Sequence, residues 1–261
     1  MTETIRYRRE GAIGIITLDR PAKLNAMTHD MGDALRALVP QLNADPELRC
    51  VLVDGEGRAF SAGGDLDFLE ENSRRSVEEN EPTMKDFYTK FLTIREIEVP
   101  TIALLHGRAT GAGLCFALGC DMRLAADDAL LSVNFVRVGL TPGMGGTWSL
   151  ERLVGPARAA ELLFTGRAVT AAEAVTMGLV NGVYPGDKLH EVGMSLACQV
   201  AEAAPCAVRA TKALLRANAT RSLHDALAAE AKVQAEAFAS EDLKEGIAAI
   251  RERRSAWFTG Q

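Results

Sequence analysis

The chain reads as an α/β protein that closes in a helical C-terminal region, and three observations predict this. Short β-rich runs at residues 14–18, 50–53 and 101–105 alternate with segments of helical spacing and Gly-containing turns. Beyond Gly155 the strand signal fades and the chain reads as successive helices. Between these parts, residues 102–122 read as a buried strand, a loop and then a helix that opens on Gly111-Ala112-Gly113.

The elements follow in order. Arg6-Tyr7-Arg8-Arg9 reads as the solvated face of a strand. Thr28 is an N-cap, after which Met31, Leu35, Leu38 and Leu42 recur at helical spacing, and Pro40 is expected to kink or end that helix early. Met84, Phe87, Tyr88, Phe91 and Ile94 fall on one apolar stripe of a second helix, and Val99-Pro100 then hands the chain to the strand at 101–105. Thr170-Ala171-Ala172-Glu173 is a capping box, and Ser222-Leu223-His224-Asp225 is a similar start. The Ala-rich stripe at 226–238 suits close helix packing, with a subunit interface as the other reading. No low-complexity linker and no repeat of solenoid length interrupts the chain.

Composition bounds the function. The chain has 261 residues, 48% apolar and 25% charged, enough to bury a substantial core. A net charge of −6 without a dense basic stripe argues against nucleic acid as a partner. No apolar run approaches the length a bilayer needs, so no membrane partner is expected, and a cytoplasmic location follows by default. The cysteines Cys50, Cys115, Cys120, Cys198 and Cys206 are odd in number and form no C-x-x-C pair, so buried, reduced thiols are expected rather than a disulfide framework or a metal site.

Two glycine loops carry the chemistry. A helix opening on Gly111-Ala112-Gly113 leaves free N–H groups at its positive end, suited to a carbonyl oxygen that turns into an oxyanion. The segment Gly57-Arg58-Ala59-Phe60-Ser61-Ala62-Gly63-Gly64-Asp65-Leu66 follows the run at 50–53 and leads into Asp65, a good N-cap. Two such loops in one α/β layer can each aim an N–H at a single oxygen, the geometry of acyl-group chemistry. Glycines after a strand also serve simple tight turns, so each loop alone leaves both readings open.

Competing motifs fit less well. Gly111 and Gly113 are followed by Phe116 where a dinucleotide loop needs a third small residue, and no P-loop pattern occurs. Ala59-Phe60-Ser61-Ala62-Gly63 approaches the nucleophile elbow of serine hydrolases, with Ala59 in place of the first glycine. His106, His190 and His224 all follow Ser61, yet none sits in a recognisable catalytic loop.

Taken together, these segments resemble the crotonase family, also called the enoyl-CoA hydratase/isomerase family, over essentially the whole chain. The resemblance is carried by Asp19-Arg20-Pro21-Ala22-Lys23-Leu24-Asn25-Ala26-Met27, by the Phe60 to Leu66 loop, by the helix opening, and by Gly139-Leu140-Thr141-Pro142-Gly143-Met144-Gly145-Gly146-Thr147. Arg158-Ala159, Leu162, Thr165-Gly166, Ala171-Ala172-Glu173-Ala174 and Gly178-Leu179-Val180 fit as well.

The resemblance implies a crotonase-like stack of ββα turns over residues 1–195, holding the CoA and acyl site. A helical region at 196–261 would make oligomer contacts, in a homotrimer or a dimer of trimers. It implies an acyl-CoA thioester as partner and no cofactor beyond the CoA moiety of that substrate. The oxyanion N–H groups carry over to Gly64 and Ala112. Ala22, Lys23, Leu24 and Ala26, with Ala62, Asp65 and Leu66, are expected to line the CoA path, and Lys23 faces either a CoA phosphate or solvent.

One departure stands out. Hydratases of the family use two glutamates to position and deprotonate water, and here those positions hold Cys115 and Phe135. An aspartate that some isomerases place after the Thr-Pro pair is replaced by Gly143. A general acid/base step contributes ~10²- to 10⁴-fold, so ordinary hydration should be lost while enolate stabilisation remains. Cys115 is either an inert thiol or, with its pKa lowered at the helix opening, a weak acid/base. Phe135 is expected to make the acyl pocket drier and narrower. Asp67, Glu70 and Glu71 are replacement carboxylates if they are not simply a solvated helix face. Arg108, Asn134 and Arg137 lie near the two emptied positions. The leading reading is an enzyme of the enoyl-CoA hydratase/isomerase type that stabilises a thioester enolate. A non-catalytic acyl-CoA carrier, or an acyl-CoA decarboxylase or double-bond isomerase with a different acid, stands as the alternative.

Overall fold

The computed structural model describes residues 4–261. The chain first folds as a hairpin, β1 (Ile5–Glu10) and β2 (Ile13–Leu18), turning at Gly11 with φ +58°. In β1 only Ile5 is buried, so Arg6 to Arg9 form the solvated strand that their charge predicts. β3 (Cys50–Gly55) and β4 (Thr101–Leu105) then join β2 in parallel. These inner strands read as continuous apolar runs because helices cover the sheet.

Two successive strand–strand–helix turns follow. The first is β4, β5 (Arg108–Thr110) and α4; the second is β6 (Met122–Ala126), β7 (Leu130–Ser132) and α5. Here α4 spans Ala112–Ala117 and α5 spans Gly146–Val154. With β8 (Ala168–Thr170) and β9 (Gly182–Tyr184), the strands form a principal sheet in the order β1-β2-β3-β4-β6-β9 and a small sheet in the order β5-β7-β8. This is the mixed α/β stack of ββα turns that the resemblance implies. β8 and β9 correct the reading of the chain beyond Gly155 as helices alone. At three residues each, they are too short to show a period of two.

The helices ahead of the first glycine loop and after it hold the core. α1 (His29–Ala44) is capped by Thr28 and buries Met31, Leu35, Val39 and Leu42. It continues through Pro40 to Ala44, against the expectation of an early end. Pro40 lies on the exposed face, where the carbonyl it leaves without a partner is open to water. α2 (Leu66–Ser73) and α3 (Val77–Leu92) follow the loop; α3 starts at a full capping box of Ser76 and Glu79 and packs on α1.

The remaining helices are α6 (Pro156–Thr165), α7 (Ala171–Thr176), α8 (Leu189–Ala201), α9 (Pro205–Asn218), α10 (Leu223–Phe238) and α11 (Glu241–Glu252). Residues 195 and 196, where the sequence division is drawn, both lie within α8, which packs on β2, β3, β4 and β6. Thr170 caps α7 by accepting from the Glu173 N–H, but the Glu173 carboxylate turns to Arg167, so the box is only half formed. α10 buries no residue fully within this chain, but Ala226, Ala229, Val233 and Ala237 are half-buried and the helix packs on α9, as the packing reading of its Ala-rich stripe expects.

All five cysteines are free; Cys50, Cys115 and Cys120 are buried as expected, whereas Cys198 on α8 and Cys206 on α9 are exposed. Helix faces reversed the apolar surroundings that the linear sequence gives these two. Among the described residues no helix is long and apolar enough to cross a membrane.

Candidate active site

The first glycine loop is laced into its neighbours by backbone hydrogen bonds. Ser61 N–H donates to Arg108 O at 3.0 Å and Ser61 O accepts from Thr110 N–H at 2.9 Å, so the loop runs alongside β5. On its other side, Ala62 N–H donates to Leu24 O at 2.9 Å, Met27 N–H to Gly63 O at 2.7 Å, and Asp65 N–H to Met27 O at 3.1 Å. Gly63 N–H is taken by Ser61 Oγ at 3.2 Å. Of these successive amides only that of Gly64 has no acceptor among the described residues.

The second loop presents a matching group. Gly111 N–H is held by Ser132 O at 2.8 Å and Cys115 N–H by Gly111 O at 3.0 Å, while the Ala112 N–H, at the first position of α4, has no acceptor among the described residues. The two loops touch at Gly63, which sits at φ +96°; a Cβ there would fall 2.7 Å from Thr110 O and 3.5 Å from the Ala112 nitrogen. Gly113 is needed for the same approach, since a Cβ on it would lie 2.6 Å from Ser61 Cβ. Two loops that are 48 positions apart in sequence at Gly64 and Ala112 thus offer one free N–H each, side by side.

A buried polar strut supports the first loop. Asn25, fully buried at φ +54°, donates to Glu56 O and Ala59 O at 2.9 and 2.8 Å, and its carbonyl accepts the Ser61 hydroxyl at 2.8 Å. Arg20 donates to Ala26 O and pairs with Asp65 at 2.9 Å. Burial alone would raise the Asp65 carboxyl, but the Arg20 hydrogen bond, the Asp67 N–H and the Arg20 charge overcome it and hold the pKa below the ordinary carboxylate range. Asp65 is therefore N-cap of α2 and partner of Arg20 at once. Sequence reasoning reached Arg20 and Asn25 only as letters of a motif; their work in holding the loop needs the fold.

The remaining residues on the expected CoA path lie along this turn. Ala22, Lys23 and Leu66 are exposed, Leu24 and Ala62 half-buried and Ala26 buried. Lys23 Nζ stands 4.0 Å from the exposed Asp67. Next to Leu24, a cavity of about 360 Å³ is lined by Arg58, Ala59, Gly107, Arg108, Asp128 and Leu130.

The emptied acid positions are now visible. Cys115 is buried, a Cβ on Gly146 would meet its Sγ at 2.9 Å, and burial pushes its thiol up to about 12, which leaves a neutral packed group and no helix-activated thiolate. Phe135 is half-buried with Cε2 3.9 Å from a Cβ placed on Gly111, and Asn134 Oδ1 is 3.1 Å from the same point. Arg137 packs instead on Gly166, and Arg108 belongs to the cavity beside Leu24. Asp67, Glu70 and Glu71 are exposed on α2, and Glu70 and Glu71 pair with Arg74 and Arg75. The structure does not bring these three carboxylates to the site.

Ser61 has no histidine partner. It is fully buried, donates to Asn25 O and accepts from Gly63 N–H. His106 instead bonds Gly57 O, His190 meets Arg8 and His224 is exposed beside Asp225. Tyr88, placed by its spacing on a core stripe, is half-buried with its hydroxyl and ring edge packed against Gly143.

The whole chain has relatives among known proteins. The family described as Enoyl-CoA hydratase/isomerase matches residues 8–261. The probable enoyl-CoA hydratase echA8 of Mycobacterium tuberculosis (strain CDC 1551 / Oshkosh) is 34% identical over 257 residues, 98% of each chain. The crotonyl-CoA hydratase of Syntrophomonas wolfei is 33% identical over 257 residues, again 98% of each chain. The crystal structure of enoyl-CoA hydratase from Bacillus anthracis superposes with a TM-score of 0.93 at 30% identity, covering 99% of this chain and 100% of that one.

Proposed function

The chain belongs to the enoyl-CoA hydratase/isomerase family, and on that premise we propose that it stabilises the enolate of an acyl-CoA thioester between the N–H groups of Gly64 and Ala112. The observation that carries this reading is the pair of unengaged amides on two loops that meet at Gly63. Donors fixed in place before the reaction lose no reorganisation energy as charge develops on the thioester oxygen, and one such donor is worth roughly 10²- to 10³-fold in rate. Arg58 and Arg108, which line the cavity beside Leu24, supply positive charge for the CoA phosphates. The reading calls for no cofactor beyond the CoA moiety of the substrate.

Water addition is not the favoured step. It needs a carboxylate base, and the neutral, buried Cys115 and the ring of Phe135 stand at the two positions concerned. The same observation favours a second reading, an acyl-CoA carrier that kept the cradle and lost the acids. Decarboxylation or double-bond shift fits between the two, because departure of CO₂ relies on enolate stabilisation more than on a strong base.

Purified protein incubated with crotonyl-CoA, longer 2-enoyl- and 3-enoyl-CoAs and malonyl-type CoAs, read by mass spectrometry alongside binding, separates these. Turnover of one member that is lost in Ala112→Pro identifies an oxyanion-hole enzyme; proline suits the first helical position, so this change removes the N–H with little cost to α4. Tight binding without turnover in any reaction establishes the carrier, and no binding of any thioester refutes both.

A further inference from the structure

The far end of α4 gathers positive charge that no part of the reading above uses. Arg123 is 5% exposed, and its guanidinium donates from Nε to Leu179 O and from Nη1 to Cys120 O, both at 2.9 Å. Cys120 closes the turn that ends α4, its own N–H bonded to Ala117 O, so Arg123 stands at the negative end of that helix. Lys212, 6% exposed, donates to Val99 O and pairs with Asp121, and Arg216 reaches the other oxygen of Asp121 at 3.4 Å. The stem of Arg95 packs at Gly119, with Cγ 3.6 Å from a Cβ placed there, and its guanidinium lies over the Trp148 ring. Asp121 is the one carboxylate paired with these four cations among the described residues, in a chain of net charge −6. Burial pulls the pKa values of Arg123, Lys212 and Arg216 below their ordinary values in spite of Asp121, so the carboxylate does not compensate them. An excess of one charge inside a protein is costly to keep.

We propose that Arg123 is a positioning residue for the oxyanion: its charge, set behind α4, raises the potential at the Ala112 N–H and so favours the enolate over the neutral thioester. The inference rests on the enolate reading, which places the thioester oxygen at Gly64 and Ala112. Every residue from Gly111 to Cys120 is buried, so the path from one end of the helix to the other is protein interior, where a charge is weakly screened. Ala112 and Cys120 are separated by a helical rise of about 12 Å. At an effective dielectric of about 20, a unit charge at that range shifts the equilibrium of an anion about tenfold. The effect is differential, because the neutral thioester carries no net charge for the field to act on. Arg216, Lys212 and Arg95 add to the same field from further out, and Asp121 subtracts from it.

The test separates the charge of Arg123 from its hydrogen bonds. Acetoacetyl-CoA, whose enolate and ketone differ in ultraviolet absorbance, is bound at pH 7.5 to wild type, Arg123→Lys and Arg123→Gln. Lysine keeps the charge and fits the two carbonyls less well; glutamine keeps a donor and loses the charge. Wild type is expected to raise the enolate-to-ketone ratio above that of the free thioester. Arg123→Gln should lower that ratio about tenfold, while Arg123→Lys stays within about threefold of wild type. A residue that only ties Cys120 to Leu179 would lower the ratio alike in both variants. Arg216→Gln, a half-buried change on α9, should lower it by about two- to threefold and serves where Arg123→Gln does not fold. An unchanged ratio in whichever neutral variant folds, or an equal fall in Arg123→Lys and Arg123→Gln, overturns this inference alone. A wild type that does not raise the ratio overturns the enolate reading and this one with it.

Discussion

Arg20 Nη1 and Asp65 Oδ2 lie 2.9 Å apart, and this one ion pair ties the turn that carries Leu24 and Ala26 to the N-cap of α2, one residue after the Gly64 N–H that has no partner among the described residues. The Asp65 side chain is 7% exposed and that of Arg20 22%, so the pair is far less screened than the surface pairs of α2.

Asp65→Asn should therefore lower stability at pH 7 by about 1–3 kcal/mol while keeping the cap, because asparagine is as good an N-cap as aspartate. The Asp65 pKa is depressed in the folded chain, so its contribution is fully present above the unfolded value of about 3.9 and is lost as pH falls through the folded one. Urea melts at pH 7 and pH 3 check this: the gap between wild type and variant should narrow at pH 3, and a gap of the same size at both would refute the assignment.

Ser61 is a structural hydroxyl. Ser61→Ala removes a donor to Asn25 O and an acceptor for Gly63 N–H, and should cost about 1–3 kcal/mol by thermal or chemical melt. Whatever turnover the wild type shows should persist within about tenfold in this variant below its melting range, since no histidine activates the oxygen. A loss of several orders of magnitude with the fold intact would restore the nucleophile reading.

Thiol reactivity should divide by burial. Iodoacetamide at pH 8 is expected to modify Cys198 and Cys206 in the native chain and to spare Cys50, Cys115 and Cys120, each pushed up to about 12 by burial. Peptide mapping after labelling reads this directly. Labelling of Cys115 ahead of the exposed pair would mean that α4 activates its thiol after all, and would return it to the list of acids.

What the residues alone made legible follows from the range of the interactions involved. The inner strands, the Thr28 cap and the buried face of α1 rest on local pattern, and they stand in the structure as read except that Val39 is buried where Leu38, of the expected stripe, is only half-buried. Pro40 misled because its cost depends on which face of α1 it occupies, and the four-residue context cannot show that the face is solvent. Gly63 and Gly113 could each be recognised as permissive, but that they serve one approach to Thr110 and Ser61 is a long-range fact, supplied beforehand only by family resemblance.

The C-terminal helices give the last expectation. α10 is sixteen residues long yet buries none of them, and Leu223, Leu227 and Phe238 on it are 77%, 56% and 68% exposed. A helix held mainly by α9 and α11 gains little from tertiary packing, and such an apolar surface calls for cover. The trimer or dimer of trimers implied by the resemblance would provide it, with α10 against a second copy of the chain. Light scattering of the wild type should then report three or six chains, and Leu223→Glu with Leu227→Glu should shift the mass toward a single chain with its far-ultraviolet circular dichroism unchanged. A wild type that runs as one chain at micromolar concentration would leave α10 to some other partner and would remove the assembly from the reading.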